Sequence, residues 1–161
     1  MDHDHLIRRF DWLRCLSQFS SKPMADNMTP EQRSRTMSRI RSTDTGLEVT
    51  MRRLLHARGL RFRKNVRALP GNPDIVFVRA RVAVMVNGDF WHGWRFSAWS
   101  RKLGPYWQEK IARNRRRDVR NIRKLRRLGW TVIRIWGHDI EADPIGCAAR
   151  VEAVVREHFV Q

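Results

Sequence analysis

Residues 69–93 of the chain read LPGNPDIVFVRARVAVMVNGDFWHG. Two valine-rich runs within it, at 75–78 and 82–86, predict buried central strands. A turn rich in proline and glycine precedes the first strand and ends at Asp74, where the chain enters the sheet. The stretch therefore predicts the centre of a sheet with a carboxylate at one strand end.

Helix and strand signals on both sides of this stretch predict a mixed sheet with helices packed on it. Thr29 before Pro30, and Thr45 with Glu48, are helix starts with capping residues, and Gly59 is a helix stop. The predicted elements are, in chain order, helices over 29–41 and 45–59, strands over 60–66, 75–78 and 82–86, a loop over 88–106, a helix over 106–128, a strand over 131–136 and a helix over 143–159. The expected class is α/β.

The net charge indicates a polyanionic partner. The 161 residues carry 33 Lys and Arg against 16 Asp and Glu, a formal net charge of +17. Arginine outnumbers lysine, and its planar fork suits phosphates and base edges, so we expect a nucleic acid. The apolar run at 75–86 is broken by Arg79 and Arg81, so no segment reaches the roughly 20 residues of a membrane-spanning helix.

Size and composition predict one domain with an appendage. We expect residues 1–28 to be an N-terminal extension, either disordered or not natively translated, and residues 29–161 to form the domain. Cys15 and Cys147 lie far apart without a CxxC spacing, so neither a disulfide framework nor a cysteine-based zinc site is expected. A reducing cytosol is the expected compartment.

Two aspartates are candidate site residues. The long helix has an apolar stripe formed by Ile111, Ile122 and Leu125. Asp118 falls on that stripe and Asn114 projects from the same side, so an acid faces inward. The alternative for Asp118 is a solvated or arginine-paired acid, and the alternative for Asp74 is an ordinary Asx-turn residue.

A tryptophan-rich segment follows the second strand and places Phe90 and Trp91 beside His92. In a strongly cationic protein, aromatic side chains can stack on bases or wedge between them. The alternative is an aromatic mini-core that covers the sheet. We prefer this alternative for Trp94, Phe96 and Trp99.

The ordered motifs together resemble the very-short-patch mismatch repair endonucleases. These motifs are LPGNPD at 69–74, NGDFWHG at 87–93, YWQEKIARN at 106–114 with Asp118 after it, and GWTVIRIW at 129–136. The resemblance extends from about residue 29 to about residue 140, and the segment 33–48 is similar too. It implies a restriction-endonuclease-like fold and nicking of DNA at T:G mismatches left by deamination of 5-methylcytosine.

The resemblance also implies roles for single residues. Asp74 is similar to the family's magnesium-ligand aspartate, the Val86 carbonyl to a second ligand, and His92 to the proposed general base. Asp118 and Glu48 match acids near the active site, although Glu48 is also the acid of a capping box, which would suffice to explain it. Bound Mg²⁺ would polarise the scissile phosphate while His92 helps to deprotonate the attacking water. The aromatic residues similar to those that enter the DNA are Phe90, Trp91 and Trp107.

One departure from the family concerns zinc. The family commonly carries a structural zinc held by Cys and His around the Phe-Trp-His motif and after the last core strand. The residues at those places in this chain are Asp89, Trp94, Phe96 and His138. We therefore expect no structural zinc, and we expect Asp89 to pair with His138 while aromatic side chains supply the packing.

The long helix is expected to contact DNA. Residues 101–134 carry 13 Lys and Arg against Glu109 and Asp118. Its exposed arginines are predicted to follow the phosphate backbone and to set affinity rather than choice of site. The predicted DNA contacts on this helix are Asn114, Arg116, Arg120, Arg123 and Arg127.

The sequence thus predicts a monomeric, Mg²⁺-dependent nicking endonuclease of the bacterial cytosol, associated with the nucleoid. Functional links to a DNA cytosine methyltransferase and to mismatch repair proteins are expected. Two alternatives remain open: a relative repurposed as a restriction or defence nuclease, and a non-catalytic DNA-binding module. The presence of Asp74, His92 and Asp118 together argues against the second.

Overall fold

A four-stranded mixed sheet with strand order β1-β2-β3-β4 forms the centre of the protein. The computed structural model describes residues 29, 31, 35 and 43–160. The strands are β1 (Arg63–Lys64), β2 (Ile75–Phe77), β3 (Val82–Asn87) and β4 (Thr131–Trp136). β2 is antiparallel to β1 and β3, whereas β3 and β4 are parallel. The predicted α/β class, a mixed sheet flanked by helices, is confirmed.

Two of the helices begin at residues that favour a helix start. Thr45 caps the first of them through its side chain, and Pro105 occupies the first turn of the longest one, where an N–H has no helical partner. The helices of the described part of the chain are α1 (Gly46–Ala57), α2 (Asp89–His92), α3 (Phe96–Trp99), α4 (Pro105–Arg127), α5 (Gly137–Ala142) and α6 (Pro144–Val160), with a 3₁₀ turn at Ser100–Lys102.

The two faces of the sheet bury different side chains because successive residues of a strand point to opposite faces. One face is covered by α1, α5 and α6, and its core includes Val84 and Ile135. The other face is covered by α4, whose Ile122 and Leu125 pack with Met85. The apolar stripe predicted for the long helix is confirmed, since its three members are buried.

Several chain segments meet at the end of β3. Because β2 is antiparallel to β3, the start of β2 lies beside this end, with Asp74 directly before it. α2 follows β3 after Gly88 alone, and the parallel strand β4 ends at the same edge. α4 packs against α2. Side chains from distant parts of the sequence are therefore brought to one place.

The strand predicted over 60–66 is wrong in length, because only Arg63–Lys64 pairs with β2. The N–H of Leu60 donates to the Leu55 carbonyl at the end of α1, and Asn65 has a φ of 49°. Both conformations interrupt an extended strand.

The loop predicted over 88–106 is also wrong in part, since it contains α2, α3 and the 3₁₀ turn. These helices, and the unpredicted α5, are too short to produce a helical period in the sequence. The extension predicted over 1–28 and most of the helix predicted over 29–41 lie outside the described residues. No helix among the residues described is long and apolar enough to cross a membrane.

Candidate active site and DNA-binding surface

His92 and Asp118 form a close pair at the end of β3. His92 is the last residue of α2, which Gly93 terminates in the left-handed conformation. Its Nδ1 lies 2.6 Å from Oδ2 of Asp118, and the two side chains are 27% and 13% exposed. A carboxylate that accepts from Nδ1 fixes the ring orientation and leaves Nε2 available to another partner. The inward direction predicted for Asp118 is confirmed.

Asp74 is a partly buried carboxylate beside the end of β3. Its Oδ2 accepts a hydrogen bond of 2.7 Å from the backbone N–H of Val86. Burial raises the pKa of Asp74 from its ordinary value of 3.8 to about 6. The neighbouring Glu48 carboxylate adds to the rise in pKa, whereas the Val86 N–H and the charges of His92 and Arg52 oppose it. A cation placed close to such an acid stabilises its ionised form.

Glu48 caps α1 and also contributes to the electrostatics around Asp74. It is 3% exposed, and its carboxylate accepts from the Thr45 hydroxyl at 2.9 Å and from the Asp44 N–H at 3.0 Å. Thr45 in turn accepts from the Glu48 N–H at 3.4 Å. The predicted pairing of the Thr45 cap with Glu48 is confirmed, although Glu48 accepts from the Asp44 N–H and not from the Thr45 N–H of a standard capping box.

The groups around Asp74 fit a hard divalent cation. In an extended strand the N–H and C=O of one residue project to the same side, so the Val86 carbonyl faces the side on which Asp74 lies. Asp74, this carbonyl and Glu48 offer oxygen donors only. No group of three or more His, Cys, Asp or Glu suited to a metal occurs among the described residues. One or two carboxylates, completed by water and phosphate oxygens, are what Mg²⁺ requires.

The predicted wedge residues form one aromatic cluster. Ring centroids of Phe90 and Trp91 lie 5.0 Å apart, and Trp107 lies 5.9 Å and 5.8 Å from them, respectively. Trp99, which we expected in a mini-core, stacks nearly parallel on Phe90 at 5.6 Å. Lys110 lies over the ring of Trp91 at 5.7 Å. The cluster is a preformed aromatic surface beside His92.

Three of the four residues at the family's zinc positions contact one another. Oδ1 of Asp89 lies 2.8 Å from Nδ1 of His138, and Oδ2 accepts from the His138 N–H at 3.1 Å. Trp94 packs on the His138 ring at a centroid distance of 4.4 Å. The expected pairing of Asp89 with His138 is confirmed.

The predicted DNA contacts on α4 divide into two groups. The Asn114 amide donates to the Trp91 carbonyl at 3.1 Å and ties α4 to α2. The four arginines are exposed, and their spacing places them on the opposite side of α4 from Asp118. The structure thus brings Asn114 next to the aromatic cluster but not the group Arg116, Arg120, Arg123 and Arg127.

The sequence reasoning missed Arg134, which lines a cleft beside His92 and Asp118, and the buried Asn87 that contacts it. With the Asn87 amide oriented so that its oxygen faces the guanidinium, this oxygen accepts from Arg134 Nη2 at 2.6 Å and from Nε at 3.1 Å. Burial lowers the pKa of Arg134. The available signal was a lone charged residue inside the apolar strand sequence TVIRIW.

Comparison with known proteins agrees with this geometry. Residues 25–98 match the family model described as DNA mismatch endonuclease Vsr. The chain is 37% identical over 138 residues to the type II nicking enzyme V.NmeDIP of Neisseria meningitidis serogroup C, covering 82% of this chain and 91% of that protein.

The chain belongs to the Vsr family. It is also 42% identical over 115 residues to the type II nicking enzyme V.XorIIP of Xanthomonas oryzae, covering 70% of this chain and 85% of the relative. The DNA mismatch endonuclease Vsr of Escherichia coli is 37% identical over 116 residues, covering 70% and 74%.

Membership of the Vsr family makes the protein a DNA endonuclease with a restriction-endonuclease-like fold, as the sequence predicted. A divalent metal cation is implied for such a nuclease in general.

Proposed function

We propose that this enzyme nicks one strand of duplex DNA at T:G mismatches produced by deamination of 5-methylcytosine, in a reaction that requires Mg²⁺. The observation that carries the proposal is the 2.6 Å contact between His92 and Asp118, beside the partly buried carboxylate of Asp74. An oriented imidazole next to a cation-binding acid is suited to hydrolysis of a phosphodiester.

The proposed roles follow from the contacts of each group. Asp74 and the Val86 carbonyl would hold Mg²⁺, which when bound supplies Lewis-acid polarisation of the scissile phosphate. Asp118 accepts a hydrogen bond from the Nδ1–H of His92, so Nε2 carries the lone pair that takes the proton of the attacking water. Glu48 adds negative charge next to Asp74 while it caps α1.

Phe90, Trp91 and Trp107 are proposed to enter the duplex beside the mismatch. Unstacking a base step costs a few kcal/mol, and the cost is smallest at a mismatch, so insertion itself favours T:G over a matched pair. The aromatic cluster is assembled before DNA binds. The entropic cost of ordering these rings on binding is therefore small.

The test is a nicking assay on labelled duplexes that carry T:G, T:A or C:G at one position, with Mg²⁺ or with EDTA. We expect nicking of the T:G duplex with Mg²⁺ only, and none by Asp74→Ala, which should keep its DNA affinity because it removes an anion near phosphate. Equal nicking of all three duplexes would instead support sequence-directed nicking, a candidate favoured by the relatives' name of type II nicking enzyme.

Further parts of the proposal concern partners. A functional link to a DNA cytosine methyltransferase follows from the chemistry of the substrate, because deamination of 5-methylcytosine requires prior methylation. We further propose that the enzyme acts as a monomer together with mismatch repair proteins.

A further inference from the structure

A polar cleft of about 220 Å³ opens beside His92 and Asp118. Three arginines contribute to its walls, namely Arg95, Arg115 and Arg134. They come from the segment after α2, from α4 and from β4. We call this group the arginine pocket.

Each guanidinium of the arginine pocket lies against an aromatic ring. The distance to the ring centroid is 4.5 Å for Arg95 over Trp94, 5.4 Å for Arg115 over Phe96 and 4.7 Å for Arg134 over Trp136. A ring fixes the face of a guanidinium and leaves its N–H groups, which lie in the plane, free to bind an acceptor. These ring contacts therefore restrain the three guanidinium groups without occupying their N–H donors.

Arg134 is the most restrained of the three. Asn87, itself 3% exposed, accepts from Nε and Nη2 when its oxygen faces the guanidinium. A guanidinium has five N–H donors, so three remain for a ligand. Within the described part of the chain no carboxylate lies within 4.0 Å of Arg134, Arg115 or Arg95. Asp118, the acid of the cleft, pairs instead with His92 and Arg117.

Gly93 makes room for Arg115. A Cβ at this position would lie 2.7 Å from Cδ of Arg115 and 3.0 Å from Cγ2 of Ile111, and Gly93 has a φ of +65°. Glycine is the residue type that allows both the turn of the chain after His92 and the close packing of Arg115.

We propose that the arginine pocket binds a backbone phosphate of the strand that is cut, at or next to the scissile linkage, with Arg134 as the residue that positions it. This inference rests on the proposed function for the identity of the ligand as DNA. The pocket shares its cleft with His92, so a phosphate bound to Arg134 lies beside the group that activates water. Three converging cations with free N–H donors match the charge and the oxygen geometry of a phosphate.

The binding experiment uses the full chain and a T:G duplex in EDTA, with fluorescence anisotropy measured at several salt concentrations. Arg134→Met is expected to make the slope of log K against log salt shallower by about 0.9, the value for one lost phosphate contact. Arg134→Lys is expected to keep the slope of the wild type. Arg150→Met is the matched control, because Arg150 is an exposed residue of α6 on the other face of the sheet.

A second set of duplexes locates the contact. Each carries one uncharged methylphosphonate, at the scissile linkage or at the linkage on either side. One of these linkages is expected to weaken binding of the wild type but not of Arg134→Met, since the two changes remove the same interaction. With Mg²⁺, nicking by Arg134→Met at saturating DNA is expected to be about 10²-fold slower, the usual cost of one charge-stabilising donor.

The outcomes separate this inference from the proposed function. If the wild type nicks no duplex, the proposed function fails, and the salt slopes in EDTA still decide whether the pocket binds phosphate. A wild-type slope in Arg134→Met, with all three methylphosphonates weakening both proteins equally, overturns the pocket, even if nicking is slow. If Arg134→Met melts far below the wild type, the exposed Arg115→Met takes its place in both measurements.

Discussion

At the scale of single residues, protonation of Asp74 is coupled to folding. Its folded pKa of about 6 lies above the ordinary 3.8, so the folded protein binds this proton more tightly than the unfolded chain does. The resulting stabilisation is complete below pH 4 and is lost as the pH rises through 6. Without metal, the ionised Asp74 carboxylate therefore lowers the free energy of unfolding at neutral pH.

Asp74→Asn is accordingly expected to raise the free energy of unfolding in EDTA at pH 7.5, by at most about 3 kcal/mol, and to change it little at pH 4. The asparagine oxygen can still accept from the Val86 N–H. Urea unfolding at both pH values measures the difference, with Glu109→Gln, an exposed acid of α4, as the control. An equal effect at the two pH values would contradict the role of burial.

Replacement of His92 is expected to change the nicking rate separately from DNA affinity. Because Asp118 holds its ring with Nε2 free, His92→Ala is expected to slow single-turnover nicking by about 10²-fold or more while DNA affinity changes little. Nicking rates at saturating duplex, compared with dissociation constants in EDTA, separate these quantities. A loss confined to affinity would make His92 a phosphate contact.

At the scale of elements, the start of α2 and the start of α5 are joined without a thiol. Asp89 and His138 make two hydrogen bonds to each other, and Trp94 covers the histidine ring. A zinc-selective chelator is therefore expected to leave the melting temperature unchanged, and elemental analysis of the purified protein is expected to find no stoichiometric zinc. One zinc per chain would refute this prediction.

How much of the architecture the sequence could predict differs between elements. β2, β3 and β4 were predictable from their β-branched residues, and α4 from its period, which also directed Asp118 inward. α2 and α3 were not predictable, because a helix of four residues is too short to show a helical period. Their aromatic side chains pack on one another, and such contacts between separate turns are not visible in the sequence. Arg134 was not predicted, because its position depends on the register of the sheet. It pairs with Met85, two residues before Asn87 in β3, and this register brings it to the cleft.

At the scale of the whole molecule, the positive charge on the exposed face of α4 opposite Asp118 is expected to contribute to DNA affinity separately from the arginine pocket. Arg120 and Arg123 belong to the exposed face opposite Asp118. Replacing both by Gln is expected to weaken binding to matched and mismatched duplexes alike, with a salt slope shallower by about 0.9 per lost contact. Titrations over a range of salt measure this. A slope identical to the wild type would indicate a solvated face that only aids solubility.

The position of the site between deeply buried strands and very short helices has a consequence for local stability. β3 is almost wholly buried, whereas α2 and α3 contain four residues each and no buried side chain. Amide hydrogens of β3 are expected to exchange with deuterium only through global unfolding, and those of α2 and α3 through local opening of low free energy. Binding of a T:G duplex is expected to slow exchange in α2 and α3 far more than in β3, so that hydrogen exchange would record the footprint of the DNA on the protein.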